Sequence, residues 1–155
     1  MTVRVQEEPF DVGAELAALS EGRTDIGGVC SFTGLVRDLN EGEGVSALTL
    51  EHYPGMTEKM LMRIEQEARS RWPLIDCLII HRYGRMEPGE PIVLVAAASS
   101  HRHAAFDACS FAMDYLKTDA PFWKVEDTAE GTRWVESRES DSAAAARWHE
   151  QPPES

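Results

Sequence analysis

Lysine, cysteine and long apolar runs are all scarce in this chain, and each scarcity excludes something. Of fifteen basic residues only Lys59, Lys117 and Lys124 are lysine, the rest being arginine. The three cysteines, Cys30, Cys77 and Cys109, stand far apart with no CxxC pair. Neither a zinc site nor a disulfide framework is indicated, and reduced thiols in a cytoplasmic protein are expected. No uninterrupted apolar run approaches the ~20 residues of a membrane span, and the opening Met1-Thr2-Val3-Arg4-Val5-Gln6-Glu7-Glu8 lacks the apolar core of a signal peptide. Positive charge is in deficit too, with 27 acidic residues and a formal charge of -12. That balance speaks against nucleic acid or anionic membrane as partners, because counterion release requires a basic surface. An anionic ligand would need a locally basic pocket.

What is present suffices for one core. At 155 residues and 43% hydrophobic content, the chain is long enough for a single well-buried domain, expected over residues 1–140. After Trp134 the chain becomes rich in Glu, Ser and Ala and finishes in Gln151-Pro152-Pro153-Glu154-Ser155, so residues 141–155 read as a mobile acidic tail.

Periodicity and turn residues place the elements. Asp11 to Glu21 reads as a helix capped by Asp11. Residues 27–36 read as a strand that Gly34 weakens internally, and 38–44 as a loop. A strand over 45–53 ends at Pro54-Gly55, and a helix follows with Thr57 as its cap, halting at Trp72-Pro73. Strands are expected over 77–83 and 91–98, a long helix from near Ser100 to Lys117, and a hairpin from 122–126 and 132–136 around Glu130-Gly131. Strands that follow one another directly favour an α+β domain with an antiparallel or mixed sheet over a doubly wound fold.

Three basic islands interrupt the acidic background: Arg37 after a strand, His101-Arg102-His103 at a helix start, and Lys117 with Lys124 around Pro121. A helix start favours an anion through its unpaired N–H groups and dipole, and basic side chains reinforce it. Two amines brought together by a turn beside Phe122 and Trp123 would depress each other's pKa, giving an acid, base or nucleophile near neutrality. Each island also has an ordinary reading as solvated surface or as a lysine at a helix C-terminus. A continuous helix from Arg102 to Lys117 would hold its ends ~20–24 Å apart at about 1.5 Å per residue. Either there are two sites, or a symmetric dimer sets the helix start of one chain beside the lysines of another. The cysteines fall inside predicted strands or mid-helix and read as core residues rather than nucleophiles.

From about Phe10 to Trp148 the chain carries the runs Phe32-Thr33-Gly34 with Val36-Arg37, Leu48-Thr49-Leu50-Glu51-His52-Tyr53-Pro54-Gly55-Met56-Thr57, Ser100-His101-Arg102, Met113-Asp114-Tyr115-Leu116-Lys117-Thr118, Ala120-Pro121-Phe122-Trp123-Lys124 and Arg133-Trp134-Val135-Glu136. In these it resembles the large, catalytic subunits of molybdopterin synthases. The resemblance implies an α/β hammerhead-type domain with an additional small antiparallel β-sheet, assembled as a homodimer within a heterotetramer. Its partner would be a small ubiquitin-like sulfur carrier ending in a Gly-Gly thiocarboxylate, and its substrate cyclic pyranopterin monophosphate. No metal or cofactor is called for. By the same resemblance Lys117 is the central catalytic residue and Lys124 assists it. Arg37, His101 and Arg102 match the pterin and phosphate pocket, Arg138 reaches in from the neighbouring subunit, and Leu35, Val36, Val125 and Glu126 contribute contacts. Leu35 and Val125 stand where some relatives carry basic residues, which makes the pocket less positive here. Two other readings stay open on the residues alone: a Schiff-base lysine enzyme acting on a carbonyl substrate, and a non-catalytic module that receives a partner's C-terminal tail.

Overall fold

The computed structural model of the chain describes residues 2–40, 43–119, 122–128, 131–135 and 148, with the backbone alone described at 39, 40, 43–46, 119, 123–128 and 131–135. In chain order the elements are β1 (Thr2–Gln6), α1 (Val12–Ser20), β2 (Gly28–Leu35), β3 (Leu39–Asn40), β4 (Glu43–His52), α2 (Met56–Arg71), β5 (Leu74–Arg82), β6 (Gly84–Met86), β7 (Pro91–Ser99), α3 (Arg102–Asp119), β8 (Phe122–Thr128) and β9 (Gly131–Val135). The main sheet has the order β1-β5-β7-β2, with β1 parallel to β5 and the other pairs antiparallel. A smaller antiparallel sheet runs β3-β4-β8-β9, and β6 also pairs with β4. This is the mixed α+β architecture with a second small sheet that the sequence predicts.

Alternation along β7 sorts the core into two faces. Val93, Val95 and Ala97 point toward α2 and α3, where Leu61, Ile64, Ala108, Phe111 and Leu116 are buried with them. Leu94 and Ala96 point the other way, joining Leu78 and Ile80 under Phe10, Val12, Leu16 and Leu19 of the α1 region. A third cluster, Val36, Leu48, Leu50 and Met86, joins the end of β2 to the small sheet.

Local chemistry explains most boundaries. Asp11 caps α1 as expected, its Oδ1 accepting from Ala14 N at 3.0 Å. The cap of α2 is Gly55 rather than Thr57, since the turn closes at Gly55 with φ 85, a conformation that suits a residue without Cβ. Thr57 lies buried in the first turn, where its hydroxyl donates to Tyr53 O at 2.8 Å and accepts from His52 Nδ1 at 3.0 Å. Three short strands escape the sequence reading: β1, β3 and β6. Of residues 141–155 only Trp148 lies within the description, and it is docked. Its ring meets Trp72 and Phe111 edge-on, each at 5.6 Å between centroids, and its indole N–H donates to Asp114 Oδ2 at 2.7 Å. The Trp148 carbonyl accepts from Arg71 Nη1 at 2.9 Å, and the same guanidinium sits 4.8 Å over the Phe111 ring.

Phe111 is thus the hub where α2, α3 and Trp148 meet. Truncating it removes a fully buried ring from a close-packed site, so Phe111→Ala is expected to cost about 3–5 kcal/mol. Urea denaturation followed by circular dichroism checks this as a lower midpoint.

Candidate functional site

The position of every basic island follows from the direction of α3. The helix begins directly after β7 and runs back along it: Cys109 Sγ donates to Val95 O at 3.8 Å, and Leu116 packs in the cluster that holds Val93. At its start the approach is close. Gly27 N donates to Ser99 O at 2.9 Å, and a Cβ on Gly28 would lie 3.6 Å from Arg102 Cα. His101 and Arg102, both exposed, therefore stand beside the beginning of β2. Lys117, exposed in the last turn of α3, stands at the opposite end of the sheet, about 22 Å from Arg102 at about 1.5 Å per residue.

The Lys117 end gathers the other expected positions. Because β2 is antiparallel to β7, with Leu35 opposite Pro91, the chain leaves β2 at this end through Val36 and Arg37. Val36 is clamped by the Glu87–Glu90 turn, its N–H donating to Glu90 O at 3.0 Å and its carbonyl accepting from Gly89 N at 2.7 Å. Hydrogen bonding from the Glu87 backbone, with help from Arg82, holds the Glu90 carboxyl below the ordinary glutamate value. Val36 is buried, whereas Leu35 and Arg37 are exposed. An open depression of about 520 Å³ is lined by Val36, Arg37, Asp38, Pro88 and Gly89.

β8 enters from the same side. Phe122 at its start stacks on His81 at 3.7 Å between ring centroids, and His81 pairs with Val93 near the beginning of β7. Along β8, Lys124 is opposite Leu50 on β4, Val125 opposite Thr49 and Glu126 opposite Leu48. Leu48 and Leu50 are the residues that pack on Val36, so the backbone of 124–126 lies one strand away from the β2 exit. Leu35, Val36, Arg37, Lys117, Lys124, Val125 and Glu126 thus belong to one end of the molecule, while His101 and Arg102 do not. Arg138 lies outside the described residues. The aromatic group that seats β8, His52 against Tyr83 at 4.4 Å and His81 against Phe122, was not singled out from sequence, since its members are scattered over strands without a shared motif.

The thiols are core groups. Cys30 and Cys77 are both register partners of Ala97, which puts them in one row across the sheet beneath α3 and Cys109. Burial pushes the Cys77 thiol up to about 12, and burial together with the neighbouring Cys30 pushes Cys109 up as well. Among the described residues no cluster of His, Cys, Asp and Glu could hold a metal ion.

Comparison with known proteins identifies the family and the fold. A family model described as MoaE protein matches residues 5–119. The molybdopterin synthase catalytic subunit of Pseudomonas aeruginosa is 63% identical over 150 residues, covering 97% of this chain and 100% of that protein. Among solved structures, the molybdopterin biosynthesis MoaE protein of Burkholderia ambifaria superposes with a TM-score of 0.82 at 53% identity, over 97% of this chain and 99% of that one. A molybdopterin synthase structure from Staphylococcus aureus gives a TM-score of 0.78 at 32% identity, over 85% of this chain and 95% of that one.

Three outcomes are expected from this geometry. A Cβ at residue 27 would fall 1.9 Å from the Ser100 carbonyl oxygen, so Gly27→Ala should displace the start of α3 and cost about 1–3 kcal/mol. Gly13→Ala, in helix α1 with only an ordinary 3.5 Å contact, should gain up to about 1 kcal/mol; thermal melts of both variants provide the check. With an aromatic disulfide reagent near neutral pH, Cys77 and Cys109 should stay silent in the native protein, and all three thiols should react after unfolding in urea.

Proposed function

This chain belongs to the MoaE family of molybdopterin synthase catalytic subunits, and on that premise we propose that it moves sulfur from the C-terminal thiocarboxylate of a small ubiquitin-like subunit onto cyclic pyranopterin monophosphate, forming the molybdopterin dithiolene. The class of activity, sulfur transfer in molybdenum cofactor biosynthesis, follows from the family. The observation that carries the residue assignment is the meeting of the α3 end, the β2 exit and β8 at one end of the sheet.

In this reading the partner's Gly-Gly tail enters where Leu35, Val36, Val125 and Glu126 supply contacts, and its thiocarboxylate arrives at Lys117. The Lys117 ammonium offsets negative charge on the thiocarboxylate and on the oxyanions that develop as sulfur is transferred, with Lys124 assisting by charge or by moving a proton. Arg37, His101 and Arg102 hold the substrate phosphate, the last two with the help of the α3 N-terminus. Arg138 completes the pocket from a neighbouring copy. Water must be kept out, because a thiocarboxylate and its acyl intermediates hydrolyse. Each dithiolene needs two sulfurs, so two loaded tails act in succession. Buried, high-pKa thiols on this chain are poor sulfur donors, which supports delivery by a partner. The assembly is a homodimer of this chain flanked by two small subunits, working in the cytoplasm.

Family membership sets the Schiff-base and tail-binding readings aside, and one assay separates all three. In a single turnover with thiocarboxylated small subunit and cyclic pyranopterin monophosphate, wild type should yield molybdopterin, read as its fluorescent oxidation product. Lys117→Ala should lower that yield by roughly a hundredfold or more while still binding the small subunit. Borohydride should trap no substrate adduct on the wild-type chain; a reduced adduct at Lys117 would revive the Schiff-base reading.

A further inference from the structure

We propose that Glu90, whose carboxylate is held from within by Arg82, is a positioning residue for sulfur transfer: it fixes the Glu87–Glu90 turn against Val36 and thereby sets Arg37 for the substrate phosphate. The proposal rests on the reading given above, in which Arg37 holds that phosphate, and it adds a residue of opposite charge to the basic set.

Arg82, at the end of β5, is the one arginine among the described residues that is buried, at 4% exposure. A guanidinium taken out of water needs acceptors for its N–H groups. Its Nε donates to Glu7 O at 3.0 Å, and its Nη1 to Pro91 O and to Glu90 Oε1, each at 3.3 Å. The second Glu90 oxygen is engaged as well, since Oε2 accepts from Glu87 N at 2.6 Å. One carboxylate therefore joins the first residue of the turn to a buried cation at the end of β5. The Glu87 N–H foremost, and Arg82 after it, keep the Glu90 carboxyl below the ordinary glutamate value, so it stays ionised and accepts on both oxygens at neutral pH.

The turn has what it needs to close without this latch. Glu90 N donates to Glu87 O at 3.1 Å, Pro88 and Gly89 fill the central positions, and Gly89 takes φ 92, the pattern of a type II turn. What the latch adds is a fixed grip on the end of β2. Val36 N donates to Glu90 O at 3.0 Å, and Gly89 N donates to Val36 O at 2.7 Å. Both polar backbone groups of Val36 are thus bonded to the turn, and the next residue is Arg37. Pro88 and Gly89 also line the depression together with Val36, Arg37 and Asp38. A turn that shifts carries the Arg37 backbone with it. Because a guanidinium holds phosphate through N–H groups in a fixed fork, a misplacement of about 1 Å weakens the contact.

The chemistry of the latch separates it from mere bulk. Glutamine has the shape of glutamate but a single acceptor oxygen, so whichever way its amide turns, its NH₂ group faces either the Glu87 N–H or the Arg82 guanidinium. Aspartate keeps both acceptors on a shorter arm. The Glu90 side chain is 38% exposed, so neither substitution empties the core.

Titration of cyclic pyranopterin monophosphate into the complex with the small subunit tests the proposal on wild type, Glu90→Gln, Glu90→Asp and Glu87→Gln. Calorimetry, with the small subunit in its unreactive carboxylate form, gives Kd; the single-turnover assay, with the thiocarboxylate form, gives the half-saturating concentration and the rate at saturation. Glu87→Gln removes the same charge from the same turn, but its side chain points outward to Arg85, 3.6 Å away. Glu90→Gln is expected to raise Kd and the half-saturating concentration about tenfold, while the rate at saturation stays within about twofold of wild type. Glu90→Asp should fall between, and Glu87→Gln should match wild type. A wild-type Kd in folded Glu90→Gln would overturn the proposal, as would a loss confined to the rate at saturation, or an equal weakening in Glu87→Gln. Should Glu90→Gln not fold, Glu90→Asp decides by the same comparison. A wild type that binds the pterin but forms no product would sink the sulfur-transfer reading instead, and the Kd comparison would still decide the role of Glu90.

Discussion

The close approach of α3 to the main sheet is the constraint on which the rest of the molecule depends. Ala105, Ala108, Cys109 and Ala112 on the helix face Val93, Val95 and Ala97 on β7, and Gly27 leaves no room for a Cβ where the helix begins. Small residues on both surfaces let the helix axis sit low over the strands, and a larger side chain at any of these positions would lift it. A helix held that closely, starting where β7 stops, has to run antiparallel to β7. Its two ends are thereby assigned: His101 and Arg102 to the beginning of β2, Lys117 to the end where β2 passes into Arg37.

That assignment gives the basic residues their meaning. Spread over a chain of net charge -12, single cations would do little to hold a phosphate or a thiocarboxylate. Concentrated in one pocket they would, and the acidic remainder of the surface then works as a filter against other polyanions. One protomer carries Arg37, Lys117 and Lys124 at one end and the helix start at the other, so in the proposed reading a second chain brings them together. The shared dimer site proposed for this MoaE chain is a response to a distance that a rigid helix imposes.

How much of this could be read beforehand depends on where the determining contacts lie. Elements with local punctuation were legible: Asp11 opening α1, Trp72-Pro73 closing α2, Glu87-Pro88-Gly89-Glu90 turning the chain into β7. Thr57 has the chemistry of a cap, yet α2 is capped two residues earlier, because Pro54-Gly55 closes the turn and draws Thr57 inside. β1 carries no local signal although Thr2 to Gln6 alternates, because its stabilising partner is β5, more than seventy residues away, with no turn to announce the pairing. β3 and β6 are too short to carry a period. Trp148 lies in a stretch whose composition reads as mobile, and its contacts with Trp72, Phe111 and Asp114 are visible only in three dimensions. At the site, local motifs identified which residues to watch. Which of them meet was set by the direction of α3, and no motif encodes that.

The central claim is that one site is built from two chains, and subunit mixing tests it most directly. Lys117→Ala and Arg102→Ala proteins, each inactive alone, would be mixed, allowed to exchange subunits and assayed for molybdopterin formation. If the site is shared, each mixed dimer contains one site with both residues intact, and random exchange should restore about a quarter of wild-type activity. If Lys117 and Arg102 act within the same chain, every site in every mixed dimer lacks one of them; activity staying at the level of the separate variants after verified exchange would contradict the account.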